Sequence, residues 1–317
     1  MVRDVAVITG GGSPVGIGAA TGRLLAQHGC RVVLSDINPV TLTTTVASQR
    51  VAGLDVTGIV ADVSELTSMQ APADQVFTEY GHVDIAFLNA GIGYAGSYFE
   101  DDIDGWHEVY GVNFFGVLHG IKAFVPRMVA QGTHGDVLGT TSGSGAVGVM
   151  YQTPAYSSSK AAVLTLMEGL YATLRDQNSV IRAHAVFPPL TKTNLGGDPS
   201  VMTMVQQGLK SAGVAAVLAE PEDVAVTVLE SIQSGNFWAH HDHEADSRLS
   251  NGRFEADIDW QDEIVRTRAA AINSPHTTRP LLVGAGADHG RAVAPGVTPA
   301  RAWPSPAHRR RYVAACR

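Results

Sequence analysis

Residues 5–18 read Val5-Ala-Val-Ile-Thr-Gly-Gly-Gly-Ser-Pro-Val-Gly-Ile-Gly18, an apolar run followed by a glycine-rich loop. The run Val5–Ile8 predicts a buried β-strand, and the segment Ala19–His28 predicts an α-helix closed by Gly29. Glycines allow a tight turn and a close approach of the backbone to a bound group, and a helix N-terminus attracts negative charge. The order of strand, glycine loop and helix therefore favours a pyrophosphate site over a merely flexible loop.

The rest of the chain repeats this alternation of short apolar runs and longer helix-like segments. Continuous apolar strands separated by helices indicate a parallel sheet that is covered on both faces. We therefore predict a single α/β domain with a doubly wound, Rossmann-like parallel sheet. The further strands are predicted at Arg31–Ser35, Gly58–Val60, Val83–Leu88, Asp136–Thr141, Arg182–Phe187 and Phe237–His240, and two long helices at Asp104–Met128 and Tyr156–Leu174.

Residues 276–317 differ in composition from the domain that we predict over residues 1–275. They are rich in Pro, Ala, Gly and Arg, show little periodicity, and carry the run Arg309-Arg-Arg311. We interpret them as a flexible, partly disordered tail rather than as a site for an acidic partner. The chain has a net charge of −8, and the tail's seven arginines and one acid contribute +6, so residues 1–275 carry −14. This acidic body argues against a nucleic-acid partner.

The composition favours a cytoplasmic protein that is not bound to a membrane. No apolar run is long enough to span a bilayer, and the first residues lack the layout of a signal peptide. Cys30 and Cys316 are the two cysteines of the chain, and they are too far apart in sequence to indicate a disulfide framework.

The segment Tyr156-Ser-Ser-Ser-Lys160 places a phenol and an ammonium on one face of a helix. A neighbouring cation favours the phenolate, so Lys160 would lower the pKa of Tyr156 and suit it to general acid–base catalysis near neutral pH. The same spacing also occurs in ordinary surface pairs. The motifs that accompany it favour catalysis. They are the glycine loop, an Asn89-Ala-Gly91 turn and a hydroxyl-rich strand end at Thr140–Ser144.

Asp36 ends the second predicted strand, where a carboxylate can accept hydrogen bonds from the ribose hydroxyls of NAD. The same charge would repel the 2′-phosphate of NADP. No basic residue follows in Ile37-Asn-Pro39, and the glycine loop has none either. We therefore predict NAD rather than NADP, with a simple turn residue as the alternative interpretation of Asp36.

Taken together, these motifs resemble the short-chain dehydrogenase/reductase family over about residues 1–275. The resemblance implies an oxidoreductase that interconverts a small-molecule secondary alcohol and a ketone by hydride transfer with a nicotinamide cofactor. It implies Tyr156 as the proton donor and acceptor, Lys160 as its electrostatic partner and Ser142 as the group that holds the substrate oxygen. Asn113 resembles the residue that secures a water-linked proton path. Ser144 is the rival of Ser142, and Asn113 could instead be an ordinary polar helix residue.

The resemblance also implies a cofactor site and an assembly, a homotetramer or homodimer. Asp62 and Val63 are similar to residues at the adenine end, and Thr191 and Thr193 to residues near the nicotinamide carboxamide and the phosphates. The full set of implied cofactor-binding residues is Gly10, Gly12, Gly16, Ile17, Gly18, Asp36, Asp62, Val63, Asn89, Ala90, Gly91, Tyr156, Lys160, Pro188, Thr191 and Thr193.

Three local features depart from the family pattern. The glycine loop is two residues longer than usual if Gly10 is its first glycine, whereas Gly12 as the first glycine would displace Thr9 from its usual place. The interval from Ser142 to Tyr156 is one residue longer than is typical. Pro188-Pro189 replaces Pro-Gly, which removes a backbone donor and the freedom of glycine.

Two further interpretations concern a metal and the substrate. His240-His-Asp-His-Glu244 could hold a metal, but alternate strand residues face opposite ways, so a polar strand exit is favoured. Loops at the carboxyl ends of the strands are expected to contact substrate, with an apolar, partly aromatic pocket formed from Tyr94, Tyr98, Val147, Met150 and Tyr151. A catalytically silent NAD-binding sensor or scaffold, and a dehydration or epimerisation enzyme, are the alternative functions.

Overall fold

The computed structural model describes residues 4–93, 98–99, 103–143, 153–195 and 218–240. Its strands are β1 (Val5–Thr9), β2 (Arg31–Asp36), β3 (Val56–Val60), β4 (Ile85–Leu88), β5 (Gly135–Thr140), β6 (Ile181–Phe187) and β7 (Trp238–His240). They form one parallel sheet in the order β3-β2-β1-β4-β5-β6-β7. The predicted doubly wound α/β class is confirmed, and the predicted strands differ from these bounds by no more than two residues at either end.

The helices that connect the strands are α1 (Ile17–Gln27), α2 (Pro39–Val51), α3 (Leu66–Tyr80), α4 (Ile103–Tyr110), α5 (Gly116–Gln131), α6 (Pro154–Asp176) and α7 (Pro221–Ser234). The single helix predicted over Asp104–Met128 is therefore two α-helices, joined by a π-helical turn at Gly111–Phe115. The sequence had not placed α2, α3 and α7 individually. The predicted helix Ala19–His28 begins two residues earlier, at Ile17.

Local signals fix several helix ends. Asn38 caps α2, since its side-chain oxygen accepts from the amides of Val40 and Thr41. Glu220 and Asp223 form a reciprocal capping box at the start of α7. Gly81 ends α3 with a φ of +80°, a left-handed conformation that favours glycine.

Each face of the sheet has its own hydrophobic core. On β1 the alternation is direct, because Val5 and Val7 pack with α3, α5 and α6, whereas Ala6 and Ile8 pack with α1, α2 and α7. Every residue of β1 is buried. Burial on both faces explains why this strand reads as a continuous apolar run.

The order of the strands places a crevice at the carboxyl ends of β1 and β4. The chain proceeds from β1 to β2 on one side and resumes at β4 on the other, which is the point where such sheets bind ligands. The glycine loop and the turn Asn89–Gly91 follow these two strands. In the part of the chain that the structure describes, no helix has the length and apolarity to cross a bilayer. The predicted tail lies outside the described residues, so its boundary stays a prediction.

Candidate active site

The glycine-rich loop turns tightly between β1 and α1. Gly10 has a φ of +68°, and a Cβ there would lie 2.8 Å from the Cα of Ala90. A Cβ on Gly18 would lie 2.5 Å from the carbonyl oxygen of Gly10. A side chain therefore fits at neither position. A Cβ on Gly12 would likewise lie 2.6 Å from Cγ of Asp36, so both candidates for the first glycine are closely packed.

The start of α1 faces this loop without a side-chain cap. The N-cap residue is Gly16, which has no side chain, so the first turn from Ile17 has no side-chain cap. The first amides of a helix have no partner within the helix and favour an anion. The tight turn and the uncapped helix start therefore fit the pyrophosphate of a dinucleotide.

Asp36 lies beside the loop at the end of β2. Its Oδ2 accepts a 2.8 Å hydrogen bond from the amide of Gly12, and its Oδ1 accepts a 3.0 Å bond from the amide of Asn38. Each carboxylate oxygen can accept more than one hydrogen bond. The fixed carboxylate can therefore still receive the two hydroxyls of a ribose.

Asn89 ties the ends of three strands together. Its amide N–H and that of Ala90 both donate to Oγ1 of Thr9, at 3.0 and 3.1 Å. Its side-chain Nδ2 donates to the carbonyl of Thr9 at 3.1 Å, and its Oδ1 accepts from Oγ1 of Thr140 at 3.1 Å. These bonds match the predicted role of the turn in supporting the sheet, while its contact with an adenine ribose stays a prediction.

Asn113 is completely buried within the π-helical turn. Its Oδ1 accepts from the amide of Ile92 at 2.8 Å, and its Nδ2 donates to the carbonyl of Ile92 and to Oγ of Ser159, each at 3.1 Å. A Cβ on Gly91 would lie 3.2 Å from Oδ1 of Asn113 and 3.3 Å from Nζ of Lys160. The structure thus brings Asn113 and Lys160 to the same glycine.

Ser142 and Tyr156 form a side-chain hydrogen bond, although 13 residues separate them in the sequence. Burial raises the pKa of the Tyr156 phenol, and the hydrogen bond with Ser142 lowers it, with a net upward direction. The net direction is upward because desolvation of the phenol outweighs the hydrogen bond with Ser142. The lowering of this pKa by Lys160 stays a prediction.

The Lys160 ammonium is directed toward the end of β5. Its Nζ donates to the carbonyl oxygen of Thr140 at 2.9 Å and lies 5.9 Å from the centre of the Tyr156 ring. The residue is 2% exposed, and burial lowers its pKa to about 8. A lysine of this kind changes its protonation near neutral pH, as proton-transfer chemistry requires.

The depressed pKa of Lys160 predicts a measurable cost in stability. In the unfolded chain the lysine has its ordinary pKa of 10.5, so between pH 8 and 10.5 unfolding takes up a proton and the folded state gains stability as the pH rises. We expect a Lys160→Met variant to be more stable than wild type at pH 7, by up to about 3 kcal/mol, and to lose that advantage by pH 10. Urea unfolding at both pH values measures the difference. Lys192→Met is the control, because Lys192 is half exposed. A stability difference that stays constant with pH would contradict this prediction.

Asp62 and Val63 have different surroundings. Asp62 Oδ1 accepts from the amide and the hydroxyl of Ser64, at 2.9 and 2.7 Å, which shapes the turn into α3. Val63 is 7% exposed and packs in the core, where a Cβ on Gly116 would approach its Cγ2 to 2.8 Å. Their contact with an adenine stays a prediction.

The segment after β6 is held by its own hydrogen bonds. The Thr191 hydroxyl donates to the carbonyl of Pro189 at 2.7 Å, and the Thr193 amide donates to the carbonyl of Thr191 at 2.8 Å. Thr191 is 6% exposed and also forms a β-bridge with Ala219. Pro188, at the end of β6, is half-buried. The Thr191 hydroxyl is therefore directed at the backbone, while Thr193 lies nearer the surface.

Two contacts link this segment to the loops after β1 and β4. The Ser13 hydroxyl donates to Oδ1 of Asn194 at 2.8 Å, and the amide of Gly93 donates to the carbonyl of Leu195 at 3.2 Å. The carboxyl ends of β1, β4 and β6 are thus connected around one crevice.

Several residues of the predicted substrate pocket and metal cluster lie outside the described residues. These are Tyr94, Val147, Met150, Tyr151 and His241 to Glu244. Ser144, the rival of Ser142, also lies outside the described residues. Tyr98 is described; it is 60% exposed, with its ring 6.1 Å from that of Trp106. His240 stacks on Phe187 with ring centres 4.7 Å apart.

Sequence reasoning missed four hydroxyl residues that position the site: Thr9, Thr45, Thr140 and Ser159. Thr140 accepts from Lys160 through its carbonyl, and a carbonyl leaves no signal in the residue type. Thr45 lies on the buried stripe of α2 together with Leu42 and Val46. A hydroxyl on such a stripe needs a buried partner, and that is the signal which could have identified it.

Comparison with known proteins decides the family. A model of the family described as short chain dehydrogenase matches residues 4–202, more than half of the chain. The chain belongs to the short-chain dehydrogenase family. Cyclohexanol dehydrogenase of Acinetobacter is 34% identical over 227 residues, which cover 71% of this chain and 86% of that protein.

Two solved structures of short-chain dehydrogenases show the same fold. One from Burkholderia phymatum, in complex with NAD, has a TM-score of 0.72 and 32% identity and covers 82% of this chain and 95% of its own. A metagenomic short-chain oxidoreductase in complex with NADP has a TM-score of 0.58 and 26% identity, with coverages of 74% and 93%. Some relatives are much longer than this chain. The matched region spans 28% of the length of a probable oxidoreductase from Mycobacterium tuberculosis.

Proposed function

We propose that the chain is an NAD-dependent enzyme that interconverts a secondary alcohol and a ketone, with Tyr156 as its general acid and base. The observation that carries this proposal is the hydrogen bond between Ser142 and Tyr156 beside the buried ammonium of Lys160. These groups follow β5 at the carboxyl edge of the sheet, where doubly wound sheets bind their ligands.

Each residue has a defined task in the proposed reaction. Tyr156 takes the proton from the alcohol hydroxyl, or returns it to the ketone oxygen. Ser142 donates a hydrogen bond to the same oxygen and stabilises the charge that develops there. Lys160 favours the phenolate when it is charged, and Asn113 holds the backbone at Ile92 beside it. When bound, the nicotinamide supplies the carbon that accepts or gives the hydride.

The choice of NAD rests on Asp36. Relatives of this fold are described with either NAD or NADP, so the fold alone does not select the cofactor. The Asp36 carboxylate accepts from two backbone amides and offers its remaining lone pairs to a ribose diol, whereas a 2′-phosphate would meet its negative charge.

The proposed substrate is a small secondary alcohol or ketone on a moderately hydrophobic body. The cyclohexanol dehydrogenase name of one relative is consistent with this class. We also propose a cytoplasmic homodimer or homotetramer, the assembly that the family resemblance implies.

The experiment is a substrate and cofactor screen with purified protein. We expect NADH absorbance at 340 nm to appear with NAD and at least some cyclic or long-chain secondary alcohols. We also expect NAD to raise the melting temperature more than NADP does. A larger thermal shift with NADP would overturn the role of Asp36, while NAD binding without turnover across a broad alcohol and ketone panel would favour a sensor over an enzyme.

A further inference from the structure

Gly12 is held by hydrogen bonds on both sides of its Cα. Its amide donates to Oδ2 of Asp36 at 2.8 Å, and its carbonyl oxygen accepts from Oγ1 of Thr45 at 2.7 Å. Thr45 is 1% exposed, so this second bond is shielded from water. The backbone of the glycine loop is thereby attached to the end of β2 and to the middle of α2.

The same helix also fixes the other oxygen of Asp36. Oδ1 accepts from the amide of Asn38, and Asn38 is the N-cap of α2. Asp36, Gly12, Thr45 and Asn38 therefore form a closed ring of contacts in which α2 determines the position of both carboxylate oxygens. We call this ring the carboxylate clamp.

The clamp leaves the carboxylate little room to move. A Cβ on Gly12 would lie 2.6 Å from Cγ of Asp36, so the loop backbone is packed directly on the carboxyl group. The neighbouring loop residues Pro14 and Val15 are exposed and provide no comparable support. Without the Thr45 hydroxyl, the buried carbonyl of Gly12 would lack its partner, and the loop would shift to find another.

We propose that Thr45 is a positioning residue that sets the preference of this enzyme for NAD over NADP by holding Gly12 against Asp36. The inference rests on the proposed function, in which Asp36 accepts from the ribose hydroxyls. A carboxylate held in a fixed position binds the ribose diol and repels a 2′-phosphate. A carboxylate that can change its rotamer binds the diol less tightly and repels the phosphate less strongly.

The test compares Thr45→Val, which keeps the shape and removes the hydroxyl, with Thr45→Ser, which keeps the hydroxyl. Dissociation constants for NADH and NADPH are measured by fluorescence titration without substrate. For Thr45→Val we expect the NADH dissociation constant to rise about five- to tenfold, as the loss of about one hydrogen bond predicts. The NADPH constant should stay the same or fall, because a displaced carboxylate repels the 2′-phosphate less. Thr45→Ser is expected to stay near wild type for both.

The control is Thr44→Val, because the exposed Thr44 hydroxyl donates only within α2, to the carbonyl of Val40. Thermal unfolding identifies folded variants, and Thr45→Ala, which adds no atoms, replaces a Thr45→Val variant that does not fold. The inference would be overturned if Thr45→Val weakened NADH and NADPH binding equally, or weakened neither. It would also be overturned if Thr45→Ser did not keep the wild-type ratio of the NADPH and NADH dissociation constants. Tighter binding of NADPH than NADH by wild type would instead overturn the proposed cofactor itself.

Discussion

Replacing Tyr156 by phenylalanine is expected to lower kcat for alcohol oxidation by about 10²- to 10⁴-fold, the usual contribution of a general acid or base. The change removes one oxygen atom, the one that forms the hydrogen bond with Ser142. The ring remains, so its packing and its 5.9 Å separation from the Lys160 ammonium are retained. We therefore expect NADH affinity to change by less than about fivefold. Steady-state kinetics and fluorescence titration measure the two quantities.

The matched control for this experiment is Tyr171→Phe. Tyr171 lies on the same helix, and its hydroxyl accepts from Arg175 away from Ser142. Its loss is expected to leave kcat within about twofold of wild type. If Tyr156→Phe retained more than about a tenth of wild-type kcat, Tyr156 could not be the proton-transfer group.

Ser142→Ala extends this prediction, because it removes the partner of Tyr156. If the two hydroxyls act on the same substrate oxygen, the double variant should lose less than the product of the two single losses. Independent, multiplicative losses would place Ser142 outside the reacting centre.

The sequence predicted the sheet because both of its faces are buried. A strand such as β1, with all five residues buried, must be apolar throughout, and this leaves a clear signal. Helices carry a weaker signal here. The buried stripe of α2 includes Thr45 and Gln49, so its pattern of apolar residues is interrupted.

The site was predictable in its residue types but less so in its interactions. Asn113, in the π-helical turn Gly111–Phe115, binds the backbone of Ile92, 21 residues earlier, and no local pattern encodes such a contact. The pKa of Tyr156 depends on burial, which spacing along a helix does not reveal. Lys160 was expected to act on the phenol, but its closest described partner is the Thr140 carbonyl, a group that every residue has.

Asp136→Asn is expected to destabilise the fold by about 3–5 kcal/mol at pH 7, the usual result of breaking a buried ion pair. Asp136 is 3% exposed on β5, and its Oδ1 lies 2.8 Å from Nε of Arg182 and 2.7 Å from Nε2 of His184 on β6. His184 is fully buried, and its Nδ1 lies 2.7 Å from the carbonyl of Asn236, just before β7. The carboxylate thus anchors a network that joins β5, β6 and the segment before β7. An amide at this position would leave the buried donors without an anionic partner.

The control is Asp74→Asn, which removes an ion pair with Arg127 in which both side chains are well exposed. Such pairs contribute about 0–1 kcal/mol, so this variant should unfold close to wild type in urea. A loss for Asp136→Asn no larger than for Asp74→Asn would show that the buried network does not stabilise the sheet.

The pH dependence of the same variant tests the cause of its instability. Burial alone would raise the pKa of Asp136, but the hydrogen bonds and charges of His184 and Arg182 outweigh it, so the pKa lies below the ordinary value of 3.8. A carboxylate with a lowered folded-state pKa stabilises the fold above its unfolded pKa and loses that contribution as the pH falls toward the folded value. The difference in unfolding free energy between wild type and Asp136→Asn should therefore be constant from pH 7 to 5 and shrink below about pH 4. Because the amide does not titrate in this range, a difference that stayed unchanged down to pH 2.5 would show that shape, and not charge, accounts for the loss.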